Sequence, residues 1–170
     1  MSLERRLFPR DPQHAALLRM LMTLDGSTTR ACEAVAQAPM EVLLLAQAQG
    51  SEVPDAVHEQ LGGSAWLTRV TSLHAHGQVM MDAVSFTRLD VVPAWFLAQL
   101  NEGSAPIGHM LQHLFVRREP VASTPRLEAM LWSRVGLPDD RASRCYRIAT
   151  ERAPLMMIFE VFRAGMVGSE

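Results

Sequence analysis

The sequence predicts an α+β fold in which an antiparallel sheet of about six strands is covered on one face by helices. Helical patterns come first along the chain, and strand patterns then occur in pairs joined by short turns, with helices between the pairs. The 170 residues are 48% hydrophobic and 20% charged, which is an ordinary globular balance. Because a chain of this length buries roughly 70% of its unfolded surface, residues 1–170 are predicted to form a single domain.

Two helices are predicted near the N-terminus. Apolar residues recur at helical spacing over residues 12–24, and Asp25-Gly26 ends this pattern. Ser27 is a favourable N-cap for a second helix over residues 28–35. Residues 1–12 carry several charges and no apolar run of signal-peptide length, so we expect this segment to be flexible and predict no export.

A strand and a β-hairpin are predicted next. The apolar run at residues 40–47 indicates a strand, and the polar segment after it, which contains glycine and proline, indicates a surface loop with one helical turn. Residues 66–74 and 79–89 have strand patterns, and His76-Gly77 between them favours a turn. These two strands should therefore pair as a hairpin.

Two short helices should follow this hairpin. Residues 93–100 and 106–114 each begin with a proline, which the first position of a helix tolerates. Residues 115–123 then favour a strand, residues 126–135 have helical spacing, and Pro138-Asp139-Asp140 marks a loop.

The C-terminal region predicts a second hairpin. Residues 144–150 and 154–163 are rich in β-favouring or apolar side chains, and only Glu151-Arg152-Ala153 lies between them. This pair completes the strands of the predicted antiparallel sheet.

Charge and apolar patterning argue against several classes of partner. The net charge is −2 and the isoelectric point is about 6.3, so no nucleic-acid partner is expected. The longest apolar runs are too short to cross a bilayer, so we expect no membrane insertion and predict a cytoplasmic location. Cys32 and Cys145 lie far apart without metal-ligand or redox spacing, which indicates two buried thiols in a reducing compartment.

No cofactor or metal is predicted. The chain has no Walker loop, no Rossmann glycine fingerprint and no Gly-x-Ser-x-Gly elbow. His109 and His113 have the spacing of two metal ligands on one helix face, yet the sequence offers no evident third ligand.

Glu160 is the first candidate for chemistry. Strand alternation places it on the same face as Met156, Ile158 and Phe162. An isolated ionised carboxylate on an apolar face is costly to desolvate, so Glu160 must be paired, protonated or close to a ligand. A structural ion pair with an arginine is the alternative to a functional role.

Arg69 is the second candidate, because alternation places it between Leu67 and Thr71 on one face of its strand. The fork of donors in a guanidinium matches the two oxygens of a carboxylate. Arg69 and Glu160 therefore either pair with each other or hold opposite ends of a substrate. Most of the other strand arginines are expected to be solvated, and at most one of the neighbours Arg117 and Arg118 should point inward; these arginines are Arg117, Arg118, Arg144 and Arg147.

Five segments together resemble the chorismate pyruvate-lyases and a related bacterial and archaeal group of the same fold. They are residues 17–29 with the Asp25-Gly26-Ser27-Thr28-Thr29 turn, Trp66-Leu67-Thr68-Arg69 with the turn at Gly77, Ala105-Pro106-Ile107-Gly108, Phe115-Val116-Arg117-Arg118-Glu119, and residues 153–162. The series spans roughly residues 15–163, and its order and spacing carry the resemblance.

The resemblance implies an enclosed ligand cavity under helical flaps and a reaction that splits chorismate into 4-hydroxybenzoate and pyruvate without a cofactor. It implies that Arg69 binds the ring carboxylate with help from the backbone N–H of Thr28. Ile107 would line the pocket, and Glu160 would assist the elimination. Chorismate and 4-hydroxybenzoate are then the small-molecule partners, and strong product inhibition is expected.

Val84 departs from the family pattern, because the classical lyases have a further arginine on the returning strand. One candidate cation for the dianionic substrate is therefore missing. A lineage that kept the cavity and lost the activity is one alternative. Another is a non-catalytic domain that senses an aromatic acid, as in winged-helix regulators, although the residues before the first predicted helix are too few for a winged helix. The pathway served, ubiquinone biosynthesis or another, and the choice between monomer and homodimer stay open.

Overall fold

The structure, a computed structural model, describes residues 3–168 and contains six α-helices and six β-strands within that range. The first half of the chain supplies α1 (Pro12–Thr23), α2 (Thr28–Ala36), β1 (Glu41–Gly50), α3 (Asp55–Leu61), β2 (Trp66–Ala75) and β3 (Gln78–Arg88). The second half supplies α4 (Ala94–Glu102), α5 (Ile107–Leu111), β4 (Arg117–Pro120), α6 (Pro125–Val135), β5 (Ser143–Ala149) and β6 (Pro154–Phe162).

The six strands form one antiparallel sheet in the order β1-β2-β3-β6-β5-β4. The two predicted hairpins, β2–β3 and β5–β6, are confirmed, and they meet where β3 pairs with β6 at the middle of the sheet. The turn of the first hairpin has φ angles of 52° at His76 and 75° at Gly77, and positive values at both positions match the twist of paired strands. The α+β class is thereby confirmed.

Three elements differ in length from their predictions. β4 covers only four of the predicted residues 115–123, and just beyond it the Val121 N–H still donates to the backbone oxygen of Cys145 at 3.1 Å. α3 has seven residues rather than one turn, because it buries Val57 and Leu61. α5 ends at Leu111, so His109 and His113 do not share a helix face.

Helices cover both faces of the sheet, whereas the sequence pattern predicts them on one. Phe159 and Glu160 are neighbours on β6 and therefore point to opposite faces. The ring of Trp132, on α6, lies edge-on to Phe159 with the centroids 5.5 Å apart. Thr28, at the start of α2, contacts Glu160 on the other face. Every residue of β6 after Pro154 is buried, as a strand covered on both sides should be.

The N-terminal segment packs against the sheet, although its charged composition predicts flexibility. Glu4 and Leu7 form single β-bridges, and Phe8 is buried with its N–H donating to Asp139 Oδ2 at 3.1 Å. The residue types alone do not reveal these long-range backbone contacts. The described part of this segment, from residue 3 onward, therefore packs as part of the fold.

Asp82 is the centre of a charged network on the face opposite Glu160. Its Oδ2 accepts from Arg163 Nε at 2.7 Å and from Arg5 Nε at 2.9 Å, and its Oδ1 accepts from the hydroxyl of Ser72. Asp82 and Arg163 are both fully buried. The network ties the N-terminal segment and the end of β6 to β3, so it stabilises the sheet.

Both cysteines are free and buried, as predicted. Burial raises the pKa of the Cys145 thiol to about 12, and burial likewise raises the pKa of Cys32. Across residues 3–168, none of the helices has the length and apolar character needed to traverse a bilayer.

Removing the Asp82 carboxylate should strongly destabilise the fold. Asp82→Ala leaves the buried Arg163 guanidinium without its counter-charge, so the free energy of unfolding should fall by about 3–5 kcal/mol in urea denaturation. Asp90→Ala is the matched control, because the Asp90 side chain is 52% exposed where it pairs with Arg88, and its loss should cost less than about 1 kcal/mol. Equal losses in the two variants would contradict the role given to Asp82.

Candidate functional site

A pocket lies on the Glu160 face of the sheet, between the central strands and the two helices α2 and α5. All four side chains expected at the site line it, namely Thr28, Arg69, Ile107 and Glu160. One pocket thus contains all four side chains, while their roles and the closure of the pocket into a sealed cavity stay predictions.

Two rows of cross-strand neighbours lie beneath the pocket, and all of their members except Arg144 line it. One row runs Thr71, Ala83, Glu160, Arg144 across β2, β3, β6 and β5, and the next runs Arg69, Ser85, Ile158, Tyr146. Cross-strand neighbours in one row share a face of the sheet. The antiparallel register thus brings Arg69 and Glu160 to one surface although they lie far apart in the chain.

Glu160 is 1% exposed and is held by three side chains. Its Oε1 accepts from Arg144 Nε at 2.7 Å and from the hydroxyl of Thr28 at 3.0 Å, and its Oε2 accepts from the hydroxyl of Tyr146 at 3.0 Å. The ion pair with Arg144 offsets the cost of burying the carboxylate. Glu160 is therefore fixed in position with its charge balanced.

The partners of Glu160 are themselves held in place. Arg144 also donates to the backbone oxygen of Leu24 at 2.7 Å and to the hydroxyl of Thr28 at 2.9 Å. Burial, and then the charge of Glu160, raise the pKa of Tyr146, so this side chain stays a phenol that donates its proton in the hydrogen bond. The guanidinium, the phenol and the start of α2 form one connected network around the carboxylate.

Arg69 is equally buried, at 1% exposed, but has no counter-charge. No carboxylate of residues 3–168 lies within ion-pair distance of its guanidinium, and its Nε has no hydrogen-bond partner there. Its one hydrogen bond within that range is a long one, 3.5 Å from Nη2 to the backbone oxygen of Gly103. Burial lowers the pKa of Arg69. Because a buried unpaired cation is costly, an anion placed beside Arg69 would lower the free energy of the site.

Arg69 and Glu160 do not pair with each other, because Glu160 pairs with Arg144 instead. Arg144 is therefore an exception in the group of arginines expected to be mostly solvated, since only 9% of its side chain is exposed. Arg118 lines the pocket while Arg117 is exposed, which agrees with the expectation that at most one of the two points inward. These two arginines and Tyr146 are the site residues that the sequence patterns do not identify.

Val84 points away from the pocket. It pairs with Phe159 and Val70, which lie on the opposite face, while its neighbours Ala83 and Ser85 line the pocket. An arginine at position 84 would therefore lie on the wrong face of β3 to meet a ligand. The valine at this position does not remove a cation from the pocket.

The helices α2 and α5 form the cover of the pocket and fit closely together. His109 Nε2 lies 3.0 Å from the carboxylate of Glu33, and Arg30 donates to Gln112 at 2.7 Å. Gly108 leaves no room for a side chain, because a Cβ there would lie 2.6 Å from the hydroxyl of Ser27. The cover thus depends on a glycine at the contact between the two helices.

Comparison with known proteins identifies a family. Residues 22–167 match the family model described as Rv2949c-like: Chorismate pyruvate-lyase Rv2949c-like, which covers most of the chain. Among curated proteins, the search finds no relative of significant similarity.

Two solved structures of PhnF share the fold of this chain. PhnF from Mycobacterium smegmatis is 13% identical with a TM-score of 0.51, over 85% of this chain and 66% of that one. The effector domain of PhnF alone is 14% identical with a TM-score of 0.50, over 82% of this chain and 90% of the domain. The C-terminal domain of histidine utilization repressor from Pseudomonas syringae is 15% identical with a TM-score of 0.49, over 77% and 96%. The likeness to PhnF concerns the fold alone.

Gly108→Ala should loosen the cover. The added methyl group forces α5 away from α2, so we expect a loss of about 1–3 kcal/mol in the free energy of unfolding and faster hydrogen exchange across residues 105–111. Gly50→Ala is the control, because a Cβ at that position meets no atom within 4 Å, and it should change stability by less than about 0.5 kcal/mol. Unchanged exchange in Gly108→Ala would show that the contact does not hold α5 in place.

Proposed function

Because the chain belongs to the Rv2949c-like chorismate pyruvate-lyase family, we propose that it eliminates pyruvate from chorismate and releases 4-hydroxybenzoate. The single observation that carries the proposal is the unpaired, buried guanidinium of Arg69 in the same pocket as the carboxylate of Glu160. The substrate would supply the anion that Arg69 lacks.

Arg69 binds the ring carboxylate of chorismate in this proposal. Its free Nε and its weakly engaged Nη2 offer two donors, which suits a bidentate contact with the carboxylate. The backbone N–H of Thr28 adds a third donor, because the first N–H groups of α2 have no partner within the helix. Ile107 contributes an apolar wall for the ring.

Glu160 acts on the ring carbons. In the elimination the C4–H bond and the C3–O bond break, the electron pair of the C3–O bond leaves with the enolpyruvyl oxygen, and the ring becomes aromatic. Glu160, as a carboxylate, accepts the C4 proton, and the released enol takes up a proton at its methylene carbon to become pyruvate. One proton leaves the ring and one enters pyruvate, so the reaction balances without a redox partner.

Arg144 and Tyr146 hold the carboxylate for this step. Their hydrogen bonds to Oε1 and Oε2 fix the orientation of Glu160 relative to the ring. Aromatisation supplies the driving force, so positioning and electrostatic complementarity are the main contributions required of the protein.

A second candidate function is non-catalytic binding of an aromatic acid. The observation in its favour is that Glu160 already accepts hydrogen bonds from three side chains, so a ligand can be held by Arg69 while the carboxylate remains engaged. This function would make the protein a sensor with the same pocket.

Incubation of the purified protein with chorismate distinguishes the two functions. We expect 4-hydroxybenzoate and pyruvate to form in equal amounts, measured by chromatography and by coupling to lactate dehydrogenase. Tight binding of 4-hydroxybenzoate without turnover would support the sensor function and reject the lyase.

Substitutions of the two central residues should abolish most of the activity. Glu160→Gln and Arg69→Ala should each lower turnover of chorismate by at least about 100-fold, as is typical when a positioned acid–base or electrostatic group is lost. Glu119→Gln is the matched control, because Glu119 also pairs with an arginine on β5, Arg147, at the edge of the sheet. A thermal melt of each variant checks the fold, and unfolding of Glu160→Gln would favour a structural role for its ion pair.

A further inference from the structure

Arg118 lies at the side of the pocket farthest from Arg69. It belongs to the edge strand β4 and is the cross-strand partner of Ile148, which places it on the same face as Tyr146 and Glu160. Its side chain lines the pocket. The pocket is thus bordered by one arginine at each end.

Arg118 differs from the other arginines at this edge in having no counter-charge. Arg117 and Arg147 both pair with Glu119 at 2.6 Å, and Arg144 pairs with Glu160. Within residues 3–168, no carboxylate lies within ion-pair distance of Arg118, and its Nε is buried without a hydrogen-bond partner. Its Nη1 donates to the backbone oxygen of Asp25 at 3.1 Å, which orients the guanidinium without neutralising it.

The charges around the pocket therefore leave two cations unbalanced. Glu160 and Arg144 neutralise each other, while Arg69 and Arg118 each retain a positive charge. A pocket with two separated unpaired guanidinium groups favours a ligand with two separated carboxylates, because each pair forms charge-assisted hydrogen bonds. A monocarboxylate would leave one arginine unsatisfied.

The strand that carries Glu160, β6, lies midway between the strands of the two arginines. In the strand order, β6 is two strands from β2 and two strands from β4. At the usual strand spacing, the strand of each arginine is about 10 Å from β6. The row of Arg69 meets β6 at Ile158 and the row of Arg118 meets it at Met156, two and four residues from Glu160. A substrate bound at both ends would therefore lie across β6, the strand that carries Glu160.

We infer that Arg118 binds the second carboxylate of the substrate, that of the enolpyruvyl side chain, while Arg69 binds the ring carboxylate. This inference rests on the proposed function. The C3–O bond that breaks lies between the two carboxylates and so lies over β6, on the face of the sheet that carries Glu160. Once it breaks, the second carboxylate belongs to pyruvate, and the aromatic product keeps only the contact with Arg69. Arg118 thereby distinguishes substrate from product.

Kinetics of Arg118→Gln test the assignment. We expect the KM for chorismate to rise about 10- to 100-fold, the usual loss for a charge-assisted hydrogen bond, while the inhibition constant of 4-hydroxybenzoate stays within about twofold. Arg69→Gln should weaken both, and Arg117→Gln, at the exposed neighbouring position, should change neither. An equal rise of both constants in Arg118→Gln would overturn the assignment.

A binding measurement tests Arg118 without any turnover. The probes are 3-(carboxymethoxy)benzoate, which carries two carboxylates joined through an ether, and 3-methoxybenzoate, which carries one. By calorimetry the unaltered protein should bind the diacid at least about tenfold more tightly, and Arg118→Gln should remove this preference. Absence of the preference in the unaltered protein would overturn the inference. If chorismate is not converted but the preference is present, the lyase function fails while the role of Arg118 stands.

Discussion

The buried ion pair between Glu160 and Arg144 is the interaction on which the rest of the site depends. A carboxylate on the covered face of the sheet can be tolerated only when its charge is balanced and its oxygens accept hydrogen bonds. Arg144, Tyr146 and Thr28 meet both requirements. Because Thr28 begins α2, the same network also fixes the helix that covers the pocket. Site chemistry and the placement of the cover therefore share one set of contacts.

Because Arg144 neutralises Glu160, the other two arginines of the pocket, Arg69 and Arg118, keep an unbalanced charge. If Arg69 or Arg118 paired with Glu160, that guanidinium would not be available to bind an anion. Instead, both guanidinium groups keep their charge, and neither has a carboxylate of residues 3–168 beside it. Stability is supplied elsewhere, by the apolar core and by the separate network around Asp82 on the opposite face. The buried charged groups thus lie on two faces of the sheet: the Asp82 network on one face and the pocket arginines with Glu160 on the other.

Much of the fold follows from local sequence patterns, whereas the network around Glu160 does not. The hairpins and most helix bounds follow from periodicity, turn residues and prolines. The family resemblance selects Arg69, Thr28, Ile107 and Glu160, and these four side chains line one pocket. Arg144 could not be placed because the β5–β6 ladder shifts register between Ile148 and Ala149. Without that shift Arg144 would lie opposite Phe159, on the other face of the sheet. A one-residue irregularity therefore decides the partner of Glu160, and side-chain alternation alone cannot reveal it.

The anchored N-terminal segment has a practical consequence for work with shortened forms of the chain. A fragment that starts at α1 would keep every strand and every residue of the pocket, yet it would lack Arg5 and Phe8. Arg5 forms an ion pair with Asp82, and Phe8 is buried in the hydrophobic core. In such a fragment, the apolar surface that Phe8 covers would be exposed to solvent, and Asp82 would lose the hydrogen bonds from Arg5. Low yield or aggregation of a truncated protein would then reflect the lost contacts on the Asp82 face of the sheet. It would give no information about the pocket on the Glu160 face.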